Sequence, residues 1–376
     1  MYKAMLRDPV IKKILRWGWS VVLAIHALLS VPFFTRGGGV RVFYGGARAG
    51  DVGGPLVKVK RLRALFPEQI WRYNVVYVLS NTPYLPGLAL ALLKARGVAV
   101  VHNQNGVFYP GWYGGDWKAQ NRRMARTFHR ADYVFFQSEF CKRSAERYLG
   151  ARTGPGEVLY NGVDTTVFCP IENPPDRTGQ AYRFLLTGKI DDHLFYRIDS
   201  SLRGLAAAVD LGLNVELEIA GWVAPDAQAR TVALAEDLGV TDRVRMSGPY
   251  TQLQAPKIYQ GGDAYIMTKH NDPCPNTVLE ALASGLPVLY SDSGGVGELV
   301  GDAGVGLECV QSWHKPHVPK VAAIGQGFVD IAANHARLSK MARTRAVDRF
   351  DLRHWERRHG DIFARLINGR TATERS

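Results

Sequence analysis

Residues Lys269–Gly304 read KHNDPCPNTVLEALASGLPVLYSDSGGVGELVGDAG. The apolar run AYIMTK that leads into this stretch predicts a buried strand ending in a polar loop. NDPCPN is rich in turn formers, TVLEALASG predicts a short helix closed by Gly285, and LPVLYSD predicts the next strand. A helix that begins just after a strand offers free backbone N–H groups and the positive end of its dipole, where a diphosphate can dock. Asp272 sits in the loop and Glu280 eight residues further on, about one turn inside the helix. The two carboxylates therefore reach one crevice from different depths. Carboxylates accept paired hydrogen bonds from vicinal hydroxyls such as those of a ribose or hexose. The same residues also allow a local reading, in which Asp272 caps the turn and Glu280 pairs on its own helix.

Working outward, the strand–helix alternation continues on both sides. YRFLLTGKI, VELEIAGW and VRMSGPY predict strands, with the helix SSLRGLAAAVDLG between the first two. Upstream, VRVFYGG (Val40–Gly46) predicts a first strand, and Gly53-Gly54-Pro55 leads into a helix with apolar–basic spacing. VVYVLS, then VAVVHNQNG ending at His102, then ADYVFFQSEFCKRSAERYLG with Ser138 as N-cap, repeat the theme. Pro170–Gln180 (PIENPPDRTGQ) separates two such series and reads as a domain boundary. The expected organisation is a hydrophobic and basic segment over 1–36, α/β domains over 37–175 and 176–345, and a helical, Arg-rich region over 346–376 packing back on the first domain. The fold class is α/β: two Rossmann-like, doubly wound parallel sheets facing across a cleft, with ligands expected at the carboxyl ends of the strands.

Charge is distributed unevenly. Residues 1–180 hold 25 Lys and Arg against 11 Asp and Glu, a net of +14, whereas 181–376 hold 22 against 23, a net of −1. A one-sided basic surface implies an anionic partner, either nucleic acid or an anionic membrane. Cys141, Cys169, Cys274 and Cys309 have neither zinc-site nor disulfide-framework spacing, so no metal site is expected. The stretch Trp17–Phe34 (WGWSVVLAIHALLSVPFF) follows Lys3, Arg7, Lys12, Lys13 and Arg16. It lacks a small-residue cleavage site for a signal peptide and is short for a membrane span. A basic leader, aromatic ends and an apolar body suit a helix lying in the membrane plane. A helix packed on the protein itself is the plainer alternative.

The 269–304 segment resembles the signature of retaining glycosyltransferases of the GT-B fold, family 4. That family carries two glutamates separated by seven residues, a G-x-P-V turn and a GG-x-x-E loop. Here these are Asp272 and Glu280, Gly285-Leu286-Pro287-Val288, and Gly294-Gly295-Val296-Gly297-Glu298. Asp272 departs from the family's first glutamate, keeping the charge on a shorter arm. Gly53 and Gly54 resemble the family's glycine loop near the donor phosphates, and His102 its N-domain histidine near the transferred sugar. TGKIDDHLFYRIDSSLRGL resembles the segment that supplies two cations to the diphosphate, with Lys189 in place of the usual arginine and Arg197, with Arg203 in reserve, as the second. NGVD (Asn161–Asp164) resembles the turn before the interdomain linker.

The resemblance implies transfer of a sugar from a nucleoside-diphosphate donor to an acceptor hydroxyl with retained configuration. Lys189, Arg197 and the N–H groups at Asn276 and Thr277 would stabilise the leaving diphosphate, Glu280 would hold the ribose, Asp272 the sugar, and His102 would position that sugar. No cofactor or metal is implied. The implied partners are a nucleotide sugar, a carbohydrate or lipid-linked acceptor and an anionic membrane surface. The positive leader stays cytoplasmic, so a full span would export the enzyme from its donor. Peripheral attachment to the cytoplasmic face is therefore expected. An epimerase or phosphorylase would share the two sheets, but the 269–304 pattern counts against both. A non-enzymatic basic binding protein would explain the charge. Without a nucleic-acid-binding motif or an aromatic platform among the basic residues, nucleic acid is not expected.

Overall fold

A computed structural model describes residues 10–30, 38–50, 54–81, 85–173 and 179–373. The chain forms two compact units: one runs to Tyr160 and resumes at Arg353, and the other spans Asn161–Leu352.

The first unit opens with helix α1 (Val10–Ser30), then alternates β1 (Val42–Phe43), α2 (Gly54–Leu65), β2 (Val75–Leu79), α3 (Gly87–Ala95), β3 (Ala99–Gln104), α4 (Trp117–Arg130), β4 (Tyr133–Phe136), α5 (Glu139–Leu149) and β5 (Gly156–Val158). The five strands are parallel and lie in the order β1-β2-β3-β4-β5. Among the described residues this order is sequential. Strands β2, β3 and β4 are buried along their whole length, as expected for β-branched and aromatic runs covered on both faces.

Helix α1 packs on this unit through one stripe. Leu23 and Ala27 are buried, Trp19 donates to the Gly46 carbonyl at 3.4 Å, and the Ser30 and Tyr73 hydroxyls meet at 2.9 Å. Gly46 has φ +79°, and a Cβ there would lie 2.5 Å from Leu23, so glycine serves both the turn and the seat of the helix. Among the described residues no helix is long and apolar enough to cross a membrane. Residues 31–34 of the apolar stretch lie outside the described part.

The second unit contains β6 (Tyr182–Thr187), α6 (Tyr196–Asp210), β7 (Val215–Ala220), α7 (Pro225–Asp237), β8 (Val244–Gly248), α8 (Ala255–Gln260), β9 (Ala264–Met267), α9 (Asn276–Ala283), β10 (Val288–Asp292), α10 (Val296–Val300), β11 (Gly304–Glu308), α11 (Val321–Ala333) and α12 (His335–Phe350). Its parallel sheet has the order β11-β10-β9-β6-β7-β8. The order reverses between β6 and β9, which creates a crevice beyond their carboxyl ends.

This unit begins at Asn161, upstream of the boundary expected in Pro170–Gln180. Val163 bridges to Asp351, the Thr165 hydroxyl bonds the Asp351 carboxylate, and Arg343 of α12 donates to the carbonyls of Thr165, Phe168 and Ala283. These bonds strap residues 161–168 to the second unit.

The chain then returns to the first unit as α13 (Leu352–Thr373). The 346–376 region is thus divided, its start completing α12 and its remainder forming α13. His359 is fully buried against Phe135 (ring centroids 4.4 Å) and meets the Tyr77 hydroxyl at 3.0 Å. Arg358 grips Glu157 with two bonds of 2.8 Å. One sheet face therefore carries α13, while on the other His102 packs edge-on against Phe128 of α4.

Candidate active site

In the second unit, the residues singled out from sequence gather at the β6/β9 switch point. Strand β6 ends at Thr187, followed by Gly188 and Lys189. A Cβ on Gly221, at the end of β7, would fall 2.1 Å from the Gly188 carbonyl, so the two strand ends approach closely. Lys189 is exposed, its ammonium 4.8 Å from the Trp222 ring centroid. Arg197, the second residue of α6, lies beneath this turn and is only 4% exposed. It donates to the Thr187 carbonyl at 3.2 Å, and its Nε has no hydrogen-bond partner among the described residues. A buried guanidinium with an unmet donor is costly unless an anion or water completes its shell. Arg203 is exposed and pairs with Asp199 on its own helix.

Glu280 is half-buried on α9 and accepts a hydrogen bond from Tyr259 at 2.9 Å. Tyr259 is fully buried, and its hydroxyl also meets Thr187 Oγ1 at 3.2 Å. Burial, with Glu280 beside it, holds the Tyr259 phenol well above its usual range, so it stays a neutral donor. A continuous chain thus runs from Arg197 through Thr187 and Tyr259 to Glu280, linking the buried cation to the carboxylate across the switch point. Nothing in the sequence pattern marked Tyr259, which lies on α8, just upstream of the 269–304 segment.

Asp272 is held within its own loop. One carboxylate oxygen accepts from Cys274 N at 3.2 Å, and the other pairs with Lys269 at 2.7 Å. The turn-capping reading of Asp272 is the arrangement seen, and Lys269 adds a cation that the pattern did not single out. Asn276 and Thr277 form the first turn of α9, whose N-cap, Pro275, offers no side-chain acceptor. Asn161 steadies this end by donating to Asn276 Oδ1 at 2.8 Å and to the Cys274 carbonyl at 3.2 Å.

The Gly294-Gly295 loop supports the Asp272 turn from below, with Gly295 N donating to the Asp272 carbonyl at 2.8 Å. Gly294 has φ +83°, and a Cβ there would lie 2.6 Å from that carbonyl. Gly294→Ala is expected to cost about 1–2 kcal/mol from the left-handed backbone alone, and more from the contact with Asp272. Calorimetric unfolding would register this as a lower Tm. An unchanged Tm would mean that the loop yields freely.

In the first unit, His102 is not where a ligand reaches it. It is 0% exposed, its Nε2 bonds Gln104 Oε1 at 2.8 Å, and burial pushes its pKa down to about 4. Strand β3 continues two residues beyond it, so the side chain points under α4. The polar group just past the end of β3 is Asn105. Its N–H donates to Ser80 Oγ, its side chain donates to Asn81, and its Oδ1 accepts from Gln137 at 2.6 Å. Lys58 of α2 donates to Asn103 Oδ1 at 2.7 Å and reaches Asn105 Oδ1 at 3.4 Å. Gly54 is the exposed first residue of α2, and Gly53 lies outside the described residues. Reading VAVVHNQNG as ending at His102 hid Asn105, because the strand alternation does not reveal its last residue.

Two parallel α/β units, one with a crevice at a topological switch point, make up the GT-B architecture. The Glycosyltransferase Family 4 model matches residues 12–167, and the model for Glycosyl transferases group 1 matches residues 199–317. The chain belongs to this family, the group 1 glycosyltransferases of family 4. It is similar to glycogen synthase of Mycobacterium tuberculosis, at 24% identity over 77% of this chain and 68% of the relative. Among solved structures, a glycosyltransferase from Rickettsia africae matches with TM-score 0.64 and 14% identity, covering 93% of this chain and 94% of that one. Anabaena HepE, solved in complex with UDP and glucose, matches with TM-score 0.61 and 17% identity over 83% of this chain and 82% of its own.

Proposed function

We propose that this glycosyltransferase takes its sugar from a nucleoside-diphosphate donor bound at the β6/β9 switch point and transfers it with retention, without a metal. The observation that carries the reading is the bonded chain from buried Arg197 to Glu280. It supports the reading because a buried cation and a carboxylate tied into one network would suit the phosphate and ribose ends of a nucleotide. Glu280 accepts hydrogen bonds from the ribose hydroxyls. Lys189 and Arg197, with the open first turn of α9, carry the charge that builds on the diphosphate as the glycosidic bond breaks. Asp272 holds the sugar from its Lys269-anchored turn. With protein cations in these places, a divalent ion has no charge left to neutralise. On the acceptor side we assign the polar contact to Asn105 and Lys58 rather than to His102. Retention follows if the acceptor hydroxyl attacks from the face the leaving phosphate vacates and gives that phosphate its proton.

The strongly basic N-terminal half supports a lipid-linked acceptor and work at the cytoplasmic face of an anionic membrane. The test is a thermal-shift panel of UDP, GDP and ADP and their common sugars, with chelator present. UDP is the first probe because HepE was solved with it. A selective rise in Tm supports the reading, since a ligand stabilises only the state that binds it. No rise with any nucleotide in folded protein overturns it, and a rise that requires added magnesium overturns the metal-free part.

A further inference from the structure

Helix α1 has two apolar faces, and the protein covers only one. Leu23, Ala27 and Ser30 face inward, yet Leu15, Val22, Ile25 and Leu29 form an outward stripe, with Val22 and Ile25 each 52% exposed and Trp17 71% exposed. A surface helix of a water-soluble unit is polar on its outer face. This one has no Asp or Glu in 21 residues, and its charges, Lys12, Lys13 and Arg16, all lie in the first two turns. The apolar surface continues beyond the helix. Trp71 lies 4.9 Å from the His26 ring with Ile70 beside it, and α3, which packs on α1, exposes Leu88 and Leu92. Exposed Arg72 follows Trp71 directly.

We infer that the outer face of α1, with Ile70, Trp71, Leu88 and Leu92, is a plate that lies in the plane of an anionic lipid bilayer. Charge selects this occupant: the plate is apolar, is basic at one end, and belongs to the half of the chain that carries the whole positive excess. A second copy of the chain would bring the same positive charge against it. Among the described residues, the uncharged part of the helix, Trp17–Ser30, is about 21 Å long, short of a hydrocarbon core of about 30 Å. Its inner stripe is also seated on the protein through Gly46. The helix therefore sinks only its outer side chains, with its basic first two turns at the level of the lipid phosphates. The inference rests on the membrane part of the proposed function and specifies which surface makes the contact.

The experiment is flotation of the full chain with vesicles of phosphatidylcholine alone and of equimolar phosphatidylcholine and phosphatidylglycerol. It compares the parent with the double variant Val22→Glu and Ile25→Glu. Both positions are already more than half exposed, so the fold survives, and melting with and without UDP checks this independently. The parent is expected to float with anionic vesicles and at least tenfold less with neutral ones, and the variant to lose at least tenfold of its binding. A variant that floats like the parent overturns the plate while leaving membrane binding intact. A parent that floats with neither vesicle overturns membrane binding as well, whatever UDP does. A parent dimer by light scattering that the variant abolishes, without flotation, shows that the face binds a second copy and overturns the assignment to lipid.

Discussion

Replacing Glu280 with glutamine is expected to weaken donor binding by roughly a hundredfold, about 3 kcal/mol, while leaving the melting temperature of the ligand-free protein nearly unchanged. The substitution keeps the shape of the side chain, and the amide oxygen still accepts from Tyr259. What it removes is the charge that makes a carboxylate a strong paired acceptor for vicinal hydroxyls. Tyr259→Phe should have a smaller effect of the same kind, about 1 kcal/mol, because it leaves the carboxylate charged and only releases its orientation. Isothermal titration with the nucleotide that the thermal panel selects would measure both. If Glu280→Gln binds the nucleotide as tightly as the parent, Glu280 is a local structural partner of Tyr259 and the ribose assignment falls. If both variants instead melt far below the parent, the Arg197–Thr187–Tyr259–Glu280 chain serves stability before it serves the ligand.

The strand-end, turn and helix-start arrangement of the candidate site in the second unit was legible in the sequence for a physical reason. Strand end, turn and helix start are consecutive in the chain, so Lys269 to Glu280 carry their own geometry in their spacing. The GG loop was legible too, because Gly294 occupies a conformation that few other residues tolerate. Tyr259 and Thr187 were not legible. Tyr259 of α8 meets Glu280 of α9 and Thr187 at the end of β6 through packing between separate elements, and such packing leaves no mark on local periodicity. His102 shows the converse error. A histidine near a strand end invites a chemical role, yet alternation turned it toward Phe128, and the polar residue just past the strand end is Asn105. Alternation of strands and helices identified both α/β units. The extent of α13 was visible as an Arg-rich helical tail, whereas its separation from α12 was not.

Acid should destabilise the first unit steeply, because two of its buried histidines resist protonation. His102 Nε2–H donates to Gln104, and its Nδ1 has no partner among the described residues, so a proton added there would be buried and unmatched. His359 donates to the Trp355 carbonyl through Nδ1 and accepts from the Tyr77 hydroxyl through Nε2, so a second ring proton would have to reverse the Tyr77 bond and be buried with its charge. Burial lowers the two to about 4 and about 3. In the unfolded chain each would titrate near 6.5. Below that pH the unfolded state takes up protons that the folded state refuses, so stability is complete above 6.5 and falls as pH drops toward the folded values. The shifts correspond to about 3 and about 5 kcal/mol when fully expressed, a large share of a typical domain's stability. Urea midpoints measured from pH 7 down to 4 should fall accordingly. His102→Gln and His359→Gln should each remove about one proton from the slope. An unchanged slope in both variants would assign the acid sensitivity to carboxylates elsewhere.

The return of α13 to the first unit also has a consequence for biosynthesis. The residues before Tyr160 leave the ribosome first, but Tyr77 and Phe135 of their sheet gain His359 only more than 200 residues later. Synthesis at about 5–20 residues per second makes that a wait of at least ten seconds or so. During this interval the aromatic contacts that α13 supplies are missing from the first unit, while the second unit, contiguous from Asn161 to Leu352, has all its own parts before α13 emerges. The second unit should therefore be able to mature first although it is made later, and the first is completed only when its final helix arrives.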